Sequence, residues 1–438
     1  MIGPASPRPA DDATIERAVE LLAAGDAIGL PTETVYGLAA DAGNRDAVAR
    51  IYRIKGRPVD HPLIVHVHDA HVAMKWAWWS AAGDDRAQRL ADAFWPGPLT
   101  LVLERLPTAP PWACAGQPTI ALRAPSHPVA RAVLGAALTR GIAGLAAPSA
   151  NRFGRVSPTR AAHVRDDLGA DVALVLEGGD SDVGIESTIV DVSGPTTRVL
   201  RPGAITAAQI DAVLSSSAVS SSAASSSATS SSAASSSAAP SSAAPSLAAA
   251  PSTASPSTAS TSASASEAAT ASATECGNAS ATASATAPAA RSSARPVVVA
   301  AGDVPRVPGS LRSHYAPITR VTLCPPERLE RELAARLATG ARLAVWSRER
   351  PQLPVPTGAA PVAADPAQAV PAAAGPAQAA PTLIWRQRPD DPRAFAHGLY
   401  DGLRALDALG CDGIVIEQPP HHADWAGVND RLTRASDS

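Results

Sequence analysis

Two cations close together, Lys55 and Arg57, are the first candidates for chemistry in this sequence. They lie in Ile54-Lys55-Gly56-Arg57-Pro58, and since only Lys55 and Lys75 are lysines, 35 of the 37 basic residues are arginines. A lysine carries a mobile point charge, whereas an arginine presents a flat set of bidentate donors. Together they suit a polyanion such as a nucleotide triphosphate. A solvated helix end is the simpler interpretation of the pair.

Phosphate binding here would have to come from loops that the fold brings together. The sequence contains no G-x-x-x-x-G-K-[ST] phosphate loop, no H-E-x-x-H and no G-x-S-x-G. Four groups of residues are candidates: Thr32-Glu33-Thr34 with Tyr36-Gly37; Lys55-Gly56-Arg57-Pro58 with His61 and His66; Thr119 and Arg123 with Pro148-Ser149-Ala150-Asn151 and Ser157; and Ile185-Glu186-Ser187-Thr188 with Leu200-Arg201-Pro202-Gly203.

Each group also has a structural interpretation. Arg123 and Arg201 at strand ends would be surface salt-bridge residues, and Glu186 a plain surface acid. His66 in an apolar strand would be a core histidine with its hydrogen bonds satisfied. Ser149-Ala150-Asn151 would be a turn before a helix. The joint occurrence of the groups in this order, rather than any one of them, favours a binding site.

Composition limits the class of protein. The chain has 438 residues, enough for two or more domains, and a net charge of −3, so no global field attracts it to nucleic acid or membrane. No apolar run is long enough for a membrane span, and the N-terminus has no signal-peptide pattern. The four cysteines contain no Cys-x-x-Cys, which disfavours a zinc site or a disulfide framework. We therefore expect a cytoplasmic protein.

Composition also divides the chain into four parts. Residues 1–213 are globular, whereas 214–296 are almost entirely Ser, Ala and Thr with scattered Pro. Such a tract cannot bury enough apolar surface to offset its ordering entropy, so we predict a disordered linker. Residues 297–318 connect it to a second globular part, 319–438, which contains a Pro/Ala-rich loop at 351–381.

The hydrophobic pattern predicts an α/β fold with a mixed sheet in the first part. Helices are expected around Ile15–Leu22, after Asn44 and at Pro128–Arg140, and strands at Ala27–Pro31, Leu63–Val67, Thr119–Arg123, Leu145–Pro148, Ser187–Val192 and Arg198–Leu200. In the second part, strands at Thr319–Leu323, Arg342–Val345 and Gly413–Ile416 alternate with helices at Pro326–Leu337 and Pro392–Leu409. This alternation predicts a small Rossmann-like parallel-sheet domain, although without G-x-G-x-x-G.

The order of these motifs resembles the threonylcarbamoyl-AMP synthase family of YrdC-like proteins, in its long form with a C-terminal domain. The resemblance is dense over residues 12–213 and resumes at Pro308-Gly309-Ser310-Leu311-Arg312-Ser313-His314-Tyr315-Ala316-Pro317. Thr-Glu-Thr-Val-Tyr-Gly-Leu, Lys-Gly-Arg-Pro, Pro-Ser-Ala-Asn and Tyr-Ala-Pro carry it. It implies a YrdC-like catalytic domain at 1–213 and an interdomain lid at 297–318.

The resemblance also implies an activity. Family members form L-threonylcarbamoyl-adenylate and pyrophosphate from L-threonine, bicarbonate and ATP, which makes them nucleotidyltransferases. A partner transferase complex then modifies the adenosine next to the anticodon of certain tRNAs. Mg²⁺ is implied as a cofactor bridging the ATP phosphates, with no dedicated protein ligands. Weak direct binding of tRNA is a further interaction that the resemblance leaves open.

Site residues follow from the same resemblance, position by position. It implies ATP contacts from nine residues: Lys55, Arg57, His61, Thr119, Ser149, Asn151, Ser157, Arg201 and Tyr315. It implies L-threonine contacts from five: Thr34, His66, Arg123, Ala147 (through its backbone) and Ser187. No covalent nucleophile is implied, and charge stabilisation is expected from Lys55 and Arg57. His61 departs from the family's usual Asn, and the long Ser/Ala tract replaces a short connection.

Three other interpretations remain open at this point. A non-catalytic RNA-binding module would use the same fold as a basic surface and bind tRNA without ATP turnover. A carbamoyl-transferring hydrogenase-maturation enzyme contains a similar domain, but it also carries Cys-x-x-Cys pairs that this chain lacks. The C-terminal part would otherwise be a separate small-molecule domain, for which the sequence offers no ligand motif.

Overall fold

A computed structural model of the protein describes residues 10–79, 84–224, 304–309, 311, 314–353 and 382–436. Residues 225–296 of the predicted linker and 354–381 of the predicted Pro/Ala-rich loop lie outside this range. So do 297–303, 310, 312 and 313 of the predicted lid segment. In the described part of the chain, no helix is both long and apolar enough to cross a membrane.

The N-terminal part is built on a mixed sheet whose described strands follow the order β7-β1-β2-β6-β3-β5-β4-β8-β9. Parallel pairs (β1–β7, β3–β5, β4–β8) occur among antiparallel ones. The strands are β1 (Ile28–Leu30), β2 (Gly37–Asp41), β3 (Ile64–His66), β4 (Leu99–Glu104), β5 (Thr119–Arg123), β6 (Leu145–Ala146), β7 (Leu174–Val175), β8 (Thr188–Asp191) and β9 (Arg198–Arg201).

Helices of the N-terminal part accompany this sheet. Those in the described residues are α1 (Asp12–Ala23), α2 (Arg45–Lys55), α3 (Ala70–Ala73), α4 (Arg86–Phe94), α5 (Pro128–Thr139), α6 (Ala161–Leu168) and α7 (Ala207–Ala224). Capping side chains fix where several begin: the Asp11 carboxylate accepts from Thr14 N, and the Asn44 amide oxygen accepts from Asp46 N and Ala47 N. Helix α7 runs past residue 213, where we predicted the linker to start.

The C-terminal part has a smaller, fully parallel sheet in the order β10-β13-β11-β12. Its strands are β10 (Val321–Cys324), β11 (Arg342–Ser347), β12 (Thr382–Gln387) and β13 (Gly413–Glu417). Its helices are α8 (Leu329–Ala338), α9 (Pro392–Asp407) and α10 (Ala426–Ser436). The predicted fold class, a mixed-sheet domain with a smaller Rossmann-like one, is confirmed.

The two parts share one apolar cluster. Val35, Val156 and Ile185 of the N-terminal part pack in it with Tyr315 and with core residues of the C-terminal sheet and helices, such as Trp346. Because apolar side chains from both parts are buried together, separating the parts would expose them to water. The described residues outside the 226–303 segment form a single compact unit.

Candidate functional site

The end of helix α2 places the first predicted pair. Gly56 adopts a left-handed conformation (φ 64°, ψ 31°) that ends the helix, and Arg57 follows it, buried. One terminal nitrogen of Arg57 donates to Pro62 O at 2.9 Å, while Arg57 Nε has no hydrogen-bond partner among the described residues. Burial lowers the pKa of Arg57 to about 10. One nitrogen of this guanidinium is therefore bound to the protein, while another donor has no hydrogen-bond partner there.

Lys55 points at the backbone of the Ser149–Asn151 loop. Its Nζ donates to Ser149 O at 2.5 Å and to Asn151 O at 2.6 Å. Burial and the nearby Arg57 hold the pKa of the ammonium well below its usual range. The structure therefore places the Lys55 ammonium against backbone carbonyls of this loop. These contacts fix the position of Ser149.

The loop itself is joined to the first motif. Leu38 N donates to Pro148 O at 2.7 Å, and Ala150 N donates to Tyr36 O at 2.8 Å. The Asn151 amide donates to Arg152 O and Arg155 O, so this side chain organises the following turn. These bonds place Ser149 beside Gly37 at the head of strand β2.

Strands β3 and β5 place the predicted threonine contacts side by side. They pair in parallel with His66 opposite Arg123. Arg123 donates to Thr34 Oγ1 at 2.8 Å and forms a buried ion pair of 2.7 Å with Glu33. The Arg123 charge holds the pKa of the Glu33 carboxyl below its usual range despite burial. Burial, with Arg123 as the neighbouring charge, lowers the pKa of His66 to about 3, so its imidazole is neutral.

A third arginine, Arg201, lies at the end of β9. Its Nε and one terminal nitrogen donate to Ser187 O at 3.3 and 2.9 Å, and the other terminal nitrogen donates to Pro308 O at 3.0 Å. Ser187 Oγ also hydrogen-bonds Thr100 Oγ1 at 2.8 Å. Burial lowers the pKa of Arg201 below its ordinary value. This arginine links β8, β9 and the Pro308 segment.

These elements enclose a cavity of about 40 Å³. Nine of the fourteen predicted site residues line it: Thr34, Arg57, His66, Arg123, Ala147, Ser149, Ser187, Arg201 and Tyr315. Arg57 and Ser149, predicted to share a cleft, both belong to its wall. Among the described lining residues, three guanidinium groups face a single carboxylate, that of Glu186, so the cavity favours anions.

Five of the predicted residues do not line this cavity. Three of them donate hydrogen bonds to other protein groups instead: Lys55, Asn151 and Ser157. Thr119 is the first residue of β5, at the opposite end of the strand from Arg123. His61 packs edge-on against Phe153, with 5.5 Å between the ring centroids.

Unsatisfied polar atoms concentrate around the cavity. Among the described residues, buried atoms without a hydrogen-bond partner include Arg57 Nε, His66 Nδ1, His314 Nδ1 and the Tyr315 hydroxyl. All four residues line the cavity. Buried polar groups in proteins normally have partners, so those that lack them call for a specific explanation, such as a ligand that binds beside them. A polar ligand in this cavity would satisfy them.

One side of the cavity is lined by four residues near the start of the C-terminal part: Pro308, Gly309, His314 and Tyr315. Tyr315 has a positive φ of 64°, an uncommon conformation for a residue other than glycine, and it is fully buried. Gly309 also has a positive φ of 74°, and a Cβ there would lie 2.1 Å from the Tyr315 hydroxyl. The close packing of Gly309 and Tyr315 explains why glycine is needed at this point of the wall.

Sequence reasoning missed part of this site. Glu186 is buried and lies in the cavity wall, so it is not the surface acid considered above. Arg123 and Arg201 are buried as well, which contradicts the surface salt-bridge interpretation. His314 lines the cavity, and its position next to Tyr315 in the motif was the available signal. Tyr400 and Arg431, which contact Glu186, lie far from every motif.

Comparisons with known proteins identify relatives of both globular parts. A family model described as "Telomere recombination" matches residues 20–203, and one described as "Threonylcarbamoyl-AMP synthase, C-terminal domain" matches residues 267–437. The second match begins inside the segment that we predicted as a linker. Together the two models correspond to the two globular parts of the chain.

Curated relatives carry the same family name. The chain is 43% identical over 205 residues to the threonylcarbamoyl-AMP synthase of Bacillus subtilis, covering 47% of this chain and 57% of that protein. It is 39% identical over 204 residues to a putative threonylcarbamoyl-AMP synthase of Mycobacterium tuberculosis, covering 47% of this chain and 90% of the relative. The match spans little more than half the length of the longer relatives, 53% for the one from Schizosaccharomyces pombe.

A solved structure extends the likeness over both parts. The crystal structure of Pyrococcus abyssi Sua5 complexed with L-threonine aligns with a TM-score of 0.65 at 25% identity, covering 98% of this chain and 96% of that one. The coverage includes the small parallel-sheet domain as well as the mixed sheet. By its motifs, by both family models and by its relatives, the chain belongs to the threonylcarbamoyl-AMP synthase family.

Proposed function

We propose that the protein forms L-threonylcarbamoyl-adenylate and pyrophosphate from L-threonine, bicarbonate and ATP. The observation that carries this proposal is the cavity lined by Arg57, Arg123 and Arg201, in which the Nε donor of Arg57 has no partner among the described residues. Membership of the synthase family and the L-threonine complex of the P. abyssi relative support it. The activity is that of a nucleotidyltransferase.

The reaction makes two chemical demands. The threonine amine must first combine with bicarbonate to give a carbamate, with loss of water. A carbamate oxygen then forms a bond to the α-phosphorus of ATP while the bond to pyrophosphate breaks. Both reactants are anions, so cations must offset their repulsion and the charge that develops on the leaving group.

In this proposal Arg123 receives the threonine carboxylate. A guanidinium presents two parallel donors to a carboxylate, and Arg123 lines the cavity, where it already pairs with the Glu33 carboxylate. Thr34, His66, Ser187 and the Ala147 backbone surround the rest of the amino acid. One methyl group distinguishes threonine from serine, and since a buried CH₂ contributes about 0.8 kcal/mol, we expect only modest selectivity.

ATP would lie against Arg57, Arg201, Ser149 and Tyr315 in the same cavity. Lys55 would act indirectly, because it holds the Ser149 loop in place. Its positive charge would also attract the phosphates, although Lys55 does not line the cavity. His61, Thr119, Asn151 and Ser157 remain proposed nucleotide contacts outside the cavity wall. ATP binding itself is part of the proposal.

Magnesium would enter with the nucleotide. Glu186 in the cavity wall and Glu33 beside Arg123 are each paired with an arginine, and the described residues contain no group of three potential metal ligands. This donor set fits an ion carried on the phosphate oxygens, because Mg²⁺ commonly uses substrate phosphates and water. Its contribution would be to offset charge on the leaving pyrophosphate.

We propose residues 297–318 as a lid between a synthase domain (1–213, followed by a linker at 214–296) and a C-terminal domain (319–438). A cavity of about 40 Å³ holds a few water molecules and no nucleotide, so part of the wall must move to admit ATP. Pro308, Gly309, His314 and Tyr315 form the part of the wall that comes from this segment. Closure would keep water from the reactive mixed anhydride.

The product would serve tRNA modification. A threonylcarbamoyl-adenylate is an activated acyl donor, and in this proposal a separate transferase complex moves the group to the adenosine next to the anticodon. We propose a cytoplasmic location for this activity. Direct tRNA binding without ATP turnover would instead favour the RNA-binding alternative.

The test is pyrophosphate release from ATP by the full chain. We expect release that depends on both L-threonine and bicarbonate, with an adenylate of the expected mass in quenched samples. Release that ignores threonine, or no release with every substrate present, would contradict the proposal. An Arg57→Lys variant should show a raised KM for ATP.

A further inference from the structure

Two side chains of the C-terminal part reach the wall of the cavity. Tyr400 on α9 and Arg431 on α10 are both fully buried, and both donate to the Glu186 carboxylate. The Tyr400 hydroxyl donates to Oε2 at 2.6 Å, and Arg431 Nε donates to the same oxygen at 2.9 Å. Ser157 Oγ donates to Oε1 at 2.5 Å. Three donors therefore hold this carboxylate in a fixed position.

Arg431 also binds two backbone carbonyls of the N-terminal part. One terminal nitrogen donates to Glu186 O at 3.2 Å, and the other donates to Pro202 O at 2.8 Å. These carbonyls belong to the residues immediately before Ser187 and immediately after Arg201. A single guanidinium therefore joins the two segments that carry these predicted substrate contacts.

Charge and close packing both reinforce the arrangement. The charges of Arg431 and Arg201 lower the pKa of Glu186 to about 2 despite its burial, so the carboxylate stays ionised. The backbone of α10 lies directly on the second segment, since a Cβ on Gly427 would lie 3.0 Å from Gly203 O. The Arg431 guanidinium carbon also lies 5.4 Å from the centroid of the Tyr315 ring.

We infer that Arg431 and Tyr400 are positioning residues of the synthase cavity, through which the C-terminal domain holds Ser187 and Arg201 in place for substrate binding. This inference rests on the proposed function. Neither residue lines the cavity. Both act through Glu186 and, for Arg431, through the Pro202 carbonyl.

An Arg431→Lys variant in the full chain separates charge from geometry. A lysine keeps the positive charge near Glu186, but one ammonium cannot reproduce the fork that spans Glu186 O, the Glu186 carboxylate and Pro202 O. We expect the KM values for ATP and L-threonine to rise about tenfold, with kcat changed much less, because binding contacts are displaced. Pyrophosphate release at varied substrate concentrations measures both.

The matched control is Asp167→Asn, at the same interface. Arg404 lies one turn after Tyr400 on α9 and donates to both Asp167 oxygens, at 3.0 and 2.6 Å. This bridge joins α9 to α6, and Asp167 does not line the cavity. We expect Asp167→Asn to lower the melting temperature as much as Arg431→Lys and to leave both KM values unchanged.

Tyr400→Phe provides a second variant that removes one oxygen and keeps the ring. We expect both KM values to rise about threefold to tenfold, and this variant decides the matter if Arg431→Lys does not fold. Unchanged KM values in the positioning variants of an active enzyme would overturn the inference. So would equal KM changes in the Asp167→Asn control. An inactive wild-type chain would instead refute the proposed function.

Discussion

Arg57, Arg123 and Arg201 place three guanidinium groups around one small, buried space. Each is held by protein partners: Pro62 O for Arg57, Thr34 and Glu33 for Arg123, and Ser187 O for Arg201. Arginine tolerates such burial because it stays charged and distributes its donors in a fixed plane. The side chains are therefore oriented before a ligand arrives, which reduces the entropy lost on binding.

The first residue-scale prediction concerns Arg123→Lys. The charge remains, but the planar pair of donors for a carboxylate is lost, so we expect the KM for L-threonine to rise about tenfold to a hundredfold. The KM for ATP should change little. Initial rates of pyrophosphate release measure both.

Arg105→Lys is the control for this change. Arg105, just after β4, donates to backbone carbonyls such as Leu106 O and does not line the cavity. Its replacement should leave both KM values at the wild-type level. An Arg123→Lys enzyme with normal threonine dependence would remove this residue from the site.

A second residue-scale prediction concerns His66 and pH. Its pKa is about 3 in the folded protein and near 6.5 when unfolded, so the unfolded chain binds more protons below pH 6.5. Stability is therefore lost as the pH falls from about 6.5 toward 3. From pH 7 to pH 5 this single group should remove about 2 kcal/mol from the free energy of unfolding.

A His66→Asn variant tests this linkage. Asparagine is polar and has no proton to take up in this range, so its free energy of unfolding should fall by about 2 kcal/mol less than that of the wild type over the same interval. Urea titrations at pH 7 and pH 5 give the two differences. Parallel losses in both proteins would mean that His66 is protonated in the native state.

At the scale of elements, the turn after α2 aims Arg57 into the cavity. Gly56 has a φ of +64°, and a Cβ at this position would meet nothing within 4 Å, so backbone conformation alone requires glycine. We expect Gly56→Ala to lower the free energy of unfolding by about 1 to 2 kcal/mol and to raise the KM for ATP. Urea unfolding and pyrophosphate release are the measurements.

Gly141→Ala is the matched control. Gly141 follows α5 with a φ of +83°, and a Cβ there would likewise meet nothing within 4 Å, so its backbone strain should be similar. It lies outside the cavity wall, and we expect a comparable loss of stability with an unchanged KM for ATP. A raised KM in both variants would argue against a specific role for the α2 turn.

The elements that the sequence predicted are those with strong local signals. Helix α2 has its Asn44 cap and its glycine stop, and β3 and β5 are short apolar runs. Strand β2 was missed because Gly37-Leu38-Ala39-Ala40-Asp41 has little strand propensity, and its place comes from pairing with β1 and β6. Helix α10 was missed because Arg431 occupies a buried position where periodicity predicts an apolar residue.

The site shows the same difference between residues with a local sequence signal and residues without one. Residues in contiguous motifs, such as Arg57 and Ser149, were found because their neighbours identify them. The contacts of Glu186 with Tyr400 and Arg431 join residues more than 200 positions apart, and no local pattern encodes such pairs. Equally, the sequence could not reveal that Lys55 would bind the backbone carbonyls of the Ser149 loop.

At the scale of the whole molecule, the interface between the two parts is polar at the cavity and apolar around it. Glu186 meets Tyr400 and Arg431, while Val35, Val156 and Ile185 enter a cluster shared with the C-terminal core. Removing one partner of a buried ion pair leaves an uncompensated charge, which destabilises strongly. The two parts should therefore depend on each other for stability.

We expect the full chain to unfold in one cooperative transition. Calorimetry should give a single endotherm in which the measured and van't Hoff enthalpies agree, because neither part can unfold without exposing the shared cluster. Two separate endotherms, with one unaffected by Arg431→Lys, would show that the parts are thermodynamically independent.

The central claim is that one cavity holds both reactants. A crystal structure of the full chain with L-threonine and a non-hydrolysable ATP analogue tests it most directly. We predict the threonine carboxylate on Arg123 and the phosphates beside Arg57 and Arg201, with the Pro308–Tyr315 segment over them. Either ligand bound outside this cavity, with the three arginines unchanged, would contradict the account.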